Sequence, residues 1–162
     1  MKCKLPHIPE LLAYERCLSR GETSCVKNRS RARKALRRRF VYLGSGWSRE
    51  VFAINDDCVL KFSGLYINNM ELDFWNKIKQ NKEASTFFAP IEFGSKSGGF
   101  LLMHRSERKP TVEEFEKFRD DFYLFFGFNC TDSVFENVGI IDGKPVLIDY
   151  SDCYLDFKKR NK

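Results

Sequence analysis

Lys61 stands inside an apolar run, Val59-Leu60-Lys61-Phe62, where every neighbour suits a buried strand. With the two-residue period of a strand it shares a face with Val59, while Leu60 and Phe62 take the other side. An ammonium in such a place needs an anionic partner. A nucleotide phosphate is one, and Glu71, on the helix expected next, is another. Upstream, Gly44 and Gly46 fall in the turn "GSGWS", where the lack of a side chain lets backbone N–H groups approach phosphate oxygens. Further along, Asp132 and Asn137 are spaced D-x-x-x-x-N, and Asp149 ends a hydrophobic strand. Oxygen donors of this kind suit Mg²⁺, which shares its shell with substrate phosphates. Asp132 is the residue to accept or orient the proton of an attacking hydroxyl.

Each signal also has a plain reading. The glycines could close an ordinary hairpin, and Lys61 could face solvent from an edge strand. Glu71 could be exposed, with Asp73 as a rival partner, and Asp132 could be a loop cap. What favours chemistry is the order: glycine turn, strand lysine, helix glutamate, hairpin, helix, D-x₄-N, hairpin, strand-end aspartate.

The elements that must position these groups follow from periodicity and punctuation. A short helix is expected over 8–20, with Pro9 in its first turn and Gly21 beyond its end. "RSRARKALRRRF" (29–40) reads as a basic helix that Ser30 could cap. Three strands follow at 40–43, 50–54 and 58–62, then a helix over 67–80 whose apolar face is Met70, Phe74, Trp75 and Ile78. A hairpin over 90–103 comes next. Thr111 opens a capping box with Glu114 on a helix carrying Phe115, Phe118, Phe122 and Phe125 as a core stripe and stopping at Gly127. Asp142-Gly143 signals a type I′ turn between two last strands.

The chain has 162 residues, 43% of them hydrophobic and 16 of them Phe, enough for a packed core and against disorder. No apolar run reaches membrane-span length, and "MKCKLPHIPE" has no apolar stretch of a secretory signal. The six cysteines show no metal-site spacing, so reduced thiols in a cytoplasmic protein are expected. The net charge of +6 is uneven: residues 1–40 carry 12 Lys/Arg against 3 Glu, and the rest of the chain is net negative. The basic stretch 27–39 could meet nucleic acid or another polyanion, or it could be a solvated helix that docks on an acidic surface.

Taken together, these residues resemble the protein-kinase-like superfamily. "LGSGWSREVF" resembles its glycine-rich loop, "VLKF" its lysine strand, and "DSVFENVGIIDGKPVLIDYS" its catalytic loop through the metal-binding Asp-Phe-Gly. "ENVG" followed by "DGKPVLIDY" is similar to compact kinase-like proteins of phages and prophages and to short kinase-like effectors of some pathogens. The resemblance covers about residues 40–152 and is absent over 1–35. It implies an α+β, protein-kinase-like fold: a basic, partly helical extension (1–38), an N-lobe with an antiparallel sheet and one helix (39–104), and a minimal C-lobe (105–162). It further implies ATP and Mg²⁺ held between the lobes, with a hinge near Met103 to Glu107. Gly44, Ser45, Gly46 and Trp47 would cover the phosphates, and Lys61, oriented by Glu71, would touch the α- and β-phosphates. Asp132 would be the base, and Asn137 and Asp149 the metal ligands.

The departures are specific. Arg49 replaces the third glycine of the loop, Cys130-Thr131 replaces His-Arg before Asp132, and Val134 stands where a lysine near the transferred phosphate is usual. Ser151 closes the metal-binding triplet as Asp-Tyr-Ser, and little chain remains for an activation segment or a peptide-docking platform. The resemblance therefore implies a minimal Ser/Thr kinase of phage or bacterial origin acting on a protein, in a bacterial or host cytoplasm, with an activating host protein as a further partner. Two other readings stand beside it. One is a pseudokinase that binds nucleotide or a host protein; the other is a basic nucleic-acid-binding protein with a residual kinase fold.

Overall fold

A computed structural model describes residues 3–22, 25–46, 48–63, 66–153 and 156. The architecture is α+β, with a mostly antiparallel sheet and, among the described residues, five helices. No helix among them is long and apolar enough to cross a membrane. The chain forms two compact units: Met1–Asn69 with Ile91–Met103, and Met70–Pro90 with His104–Lys162.

The first unit is built on helices α1 (Pro9–Ser19) and α2 (Cys25–Arg39) and strands β1 (Val41–Ser45), β2 (Arg49–Ala53), β3 (Cys58–Ser63), β4 (Ile91–Gly94) and β5 (Phe100–His104). The sheet order is β1-β2-β3-β5-β4, which makes β3 the central strand. Register fixes the faces: Glu50 pairs with Phe62, Val51 with Lys61 and Phe52 with Leu60. Side chains alternate along each strand, so Glu50, Phe52, Leu60 and Phe62 share one face and Val51, Val59 and Lys61 the other. The first face is covered by α1 and α2, whose Leu11, Tyr14, Ala32, Ala35 and Leu36 join Phe52, Leu60, Phe62, Phe100 and Leu102 in one core.

The spacing of Ala32, Ala35 and Leu36 gives α2 a narrow apolar stripe on an otherwise basic helix, and this stripe is what it buries. Both α1 and α2 therefore contribute side chains to the unit's core. Ser30, expected to cap, lies inside α2, which starts five residues earlier. The Tyr14 hydroxyl donates to Ser63 O at 3.1 Å. Glu15 accepts the Ser97 N–H at 2.9 Å and the Ser97 hydroxyl, tying α1 to the β4–β5 turn.

The second unit holds most of α3 (Ile67–Ile78), the one-turn α4 (Lys82–Ser85), α5 (Val112–Phe126) and the hairpin β6 (Val138–Ile141) with β7 (Lys144–Leu147). Thr111 and Glu114 form the expected capping box, and Gly127 ends α5 in the left-handed conformation. Asp142 and Gly143 both have positive φ (49° and 71°), as a type I′ turn requires. Phe118 and Phe122 are buried, but Phe125 is 40% exposed; the half-buried Phe126, four residues after Phe122, continues the stripe instead. Their rings meet Phe87 and Phe88 at 5.5–6.1 Å, and Phe88 meets Tyr150 at 5.2 Å.

The cysteines depart from expectation. Cys3 is disulfide-bonded to Cys58 within the first unit, and Cys130 to Cys153 within the second. The partners are 55 and 23 residues apart, so no local spacing announces them. Cys17 and Cys25 are thiols, and the Cys25 S–H donates to the Cys17 sulfur at 3.0 Å. That bond holds the Cys25 thiol up at about 11.

Candidate functional site

In the first unit, β1 and β2 deliver the glycine turn. The Gly46 N–H donates to Arg49 O at 3.0 Å, closing the turn, and Gly44 sits at a register shift with φ of 153°. A positive φ of that size is what favours glycine there. Ser45 and Gly46 are exposed, and Trp47 lies outside the described residues. Lys61 is only 3% exposed and sits on the central strand, which removes the solvent-facing edge reading. Nearby, the buried Asn68 ties backbone together: its Nδ2 donates to Lys61 O at 3.3 Å and to Gly98 O at 3.0 Å. Met103 is fully buried at the end of β5, opposite Ile91 of β4.

In the second unit, the expected carboxylates converge on one short segment, residues 148–153. Glu71, on α3, is fully buried, and its Oε1 accepts the Tyr150 N–H at 2.9 Å. Asp73 is exposed, so helical phase selects Glu71 as the buried acid. Tyr150 anchors the segment: its ring packs on Phe74 and Phe88, and its hydroxyl donates to Ala89 O at 2.9 Å. Asp149 lies two residues past the end of β7, not at the strand end expected. Asn137 accepts the Ile148 N–H on its backbone carbonyl at 2.8 Å, which sets it beside the residue preceding Asp149. The hairpin causes this, because Val138 pairs with Leu147 and so brings the residues just outside β6 and β7 together. Asn137 and Asp149 are both half-buried.

Asp132 reaches the same segment from its own loop. Its Oδ2 accepts the N–H groups of Asp152 at 2.7 Å and Cys153 at 3.0 Å. Burial pushes its carboxyl up to about 7; the two N–H donors oppose that rise, while the charges of Asp152 and Asp149 add to it. The Cys130–Cys153 disulfide brackets this contact. Val134, in the place of the usual lysine, is 43% exposed.

Each expected residue that is described thus falls in one of two sets. Gly44, Ser45, Gly46, Lys61 and Met103 belong to the first unit; Glu71, Asp132, Asn137 and Asp149 belong to the second. Among the described residues, no three or more His, Cys, Asp or Glu are grouped to hold a metal by themselves.

Two features had not been expected as site elements. One is the pair of amides at Asp152 and Cys153 that holds Asp132; it had no sequence signal. The other is Glu50, whose carboxylate is ion-paired with Arg33 and, at 2.9 Å, with Arg37. The four-residue spacing of Arg29, Arg33 and Arg37 was legible as one helix stripe, but its acidic partner on β2 was not. No protein-family model matches the chain, and no curated protein aligns with it significantly.

Proposed function

We propose that this protein is an ATP- and Mg²⁺-dependent phosphotransferase, a minimal Ser/Thr protein kinase of phage or bacterial origin. The observation that carries the reading is that residues 148–153, which include Asp149, are held in a single unit by the side chains of Glu71 and Asp132 and by the backbone carbonyl of Asn137. Further support comes from the element order, in which a glycine turn, a buried strand lysine, a helix and a second strand pair precede that segment. The donor chemistry suits Mg²⁺: Asn137 and Asp149 offer oxygens, and the remaining positions would be filled by phosphate and water. Bound Mg·ATP would supply the phosphoryl group. Lys61 would neutralise the α- and β-phosphates, Gly44 to Trp47 would lie over them, and Met103 would belong to the hinge. Asp132 would orient the acceptor hydroxyl, for which a carboxyl near neutrality is suited as a proton acceptor.

A second reading, nucleotide binding without turnover, is favoured by one specific observation. An oxygen of Asp132 already accepts two backbone N–H groups, and an exposed Val134 stands where a cation is expected. The loss of that charge weakens transition-state stabilisation.

One experiment separates these. Thermal melting is compared in ATP with excess EDTA and in ATP with excess Mg²⁺. A Mg²⁺-dependent rise that Asp149→Ala removes supports nucleotide binding, and its absence in the wild type discards both readings. Transfer of labelled phosphate from ATP to lysate proteins, lost in Asp132→Ala, then selects the kinase over the pseudokinase.

A further inference from the structure

A groove of about 420 Å³ runs between α2 and the β1–β2 turn, wholly within the first unit. On one side stand Arg29, Arg33 and Arg37, one stripe of α2, joined by Arg49 from the start of β2. On the other stand Ser45, Gly46 and Ser48 of the turn. Among the described residues no apolar side chain lines it, and Glu50 is the only acid in the lining. Arg49 turns its guanidinium to the buried Asn68 on the Lys61 face, so the three α2 guanidiniums against one carboxylate leave the groove cationic.

Glu50 sets the arrangement without cancelling it. It is only 7% exposed and pairs with Arg33 through Nε and with Arg37 through Nε and Nη2. Each guanidinium has five N–H donors, so both forks keep N–H groups that this carboxylate does not take. Arg37 is further fixed over the Tyr42 ring, with 4.6 Å between its guanidinium carbon and the ring centre. The Nε of Arg29 is buried with no hydrogen-bond partner among the described residues, which is a cost to the fold.

We propose that this groove is a phosphate site, taking a small molecule that bears a phosphate or diphosphate group. Phosphate matches planar guanidinium forks bidentately, and the serine hydroxyls suit its remaining oxygens. The volume exceeds what a bare ion needs and falls in the range of small-molecule pockets. A nucleic-acid backbone fits less well, because two neighbouring cations are engaged by backbone carbonyls outside the groove. Arg38 donates to Lys34 O, and Arg39 to His7 O. The site shares Ser45 and Gly46 with the loop proposed to lie over ATP but is on the other side of the sheet from Lys61. It opens on the Glu50 face of the sheet, whereas Lys61 belongs to the opposite face.

The test is isothermal titration of the full chain with pyrophosphate, at fixed ionic strength and without Mg²⁺. We expect saturable binding that Arg29→Gln weakens at least about tenfold, since this change breaks no native ion pair. Arg33→Lys, which keeps a cation beside Glu50 but loses the fork, should weaken it similarly. Arg38→Gln removes the same charge from the same helix outside the groove and should change affinity less than about twofold. ADP without Mg²⁺ forms a second arm. Affinity equal to that of pyrophosphate identifies the diphosphate as the recognised group, and ADP binding alone overturns the proposal in favour of a nucleoside site. Absence of binding overturns it, as does an equal loss in Arg38→Gln and Arg29→Gln, which would mean diffuse polyanion attraction. Asp149→Ala should leave pyrophosphate binding intact while abolishing the Mg²⁺-dependent ATP shift, so that failure here and failure of the kinase reading remain distinct.

Discussion

Asp132 is held where its charge is least welcome. Burial raises its carboxyl from 3.8 to about 7, and Asp152 and Asp149 add repulsion that two N–H donors only partly offset. The consequence for stability has a definite sign. Between about pH 4 and 7 the folded chain keeps a proton that the unfolded chain has released, so this group's contribution falls as pH rises. Glu114 behaves in the opposite way: the Arg108 guanidinium and the Thr111 N–H lower its carboxyl to about 2, so its contribution is lost only on acidification below its usual range. Asp132→Asn keeps an acceptor for the Asp152 and Cys153 amides and removes the titration. In EDTA, the melting temperature of Asp132→Asn relative to wild type should therefore climb from pH 5 to pH 8. A difference that stays flat over that interval would show that the carboxyl is not strained by burial.

Among the elements, the β6–β7 hairpin does most to assemble the second unit's site, because Asn137 precedes it and Asp149 follows it. Gly139, on β6, is where this hairpin meets the loop after β5. A β-carbon there would collide with the Cβ of Ser106 and come within 3.1 Å of Ile148. Neither neighbour is the tip of a flexible chain. Gly139→Ala should destabilise the protein by about 1–3 kcal/mol and weaken Mg²⁺-dependent nucleotide binding, both readable from melting curves with and without ligand. An unchanged apo midpoint would mean that the loop yields freely. The hairpin itself was legible in the sequence because its signals are local: Asp142-Gly143 dictates the turn, as Thr111 with Glu114 and Gly127 dictate the ends of α5. What escaped was short or distant. The one-turn α4 rests on a single cap, Asn81, with no periodicity to reveal it. Ser30 looked like a cap because the preceding residues are polar, yet α2 extends back through them. The pairing of Glu50 with the α2 arginines depends on register in the sheet, which no spacing within either segment encodes.

At the scale of the whole chain, cysteine spacing was not informative. Spacing suggested six free thiols; the fold pairs four of them, one disulfide in each unit, and brings the remaining two within 3.0 Å. Each bond restricts the unfolded chain more the longer the loop it closes. The Cys3–Cys58 loop, with a separation of 55, corresponds to about 4 kcal/mol and the Cys130–Cys153 loop, with a separation of 23, to about 3 kcal/mol in a chain-entropy account. The second bond also carries the amide of Cys153, which holds Asp132, so its stability and the site's geometry are linked. Thiol titration of the denatured chain should find two reactive groups before reduction and six after it. Reduction should lower the melting midpoint of the folded protein by on the order of 10 °C. Six thiols without any reductant would restore the reading made from spacing. The stability of both units would then rest on packing alone: the α1–α2 core against the sheet in one, and the phenylalanine cluster around Tyr150 in the other.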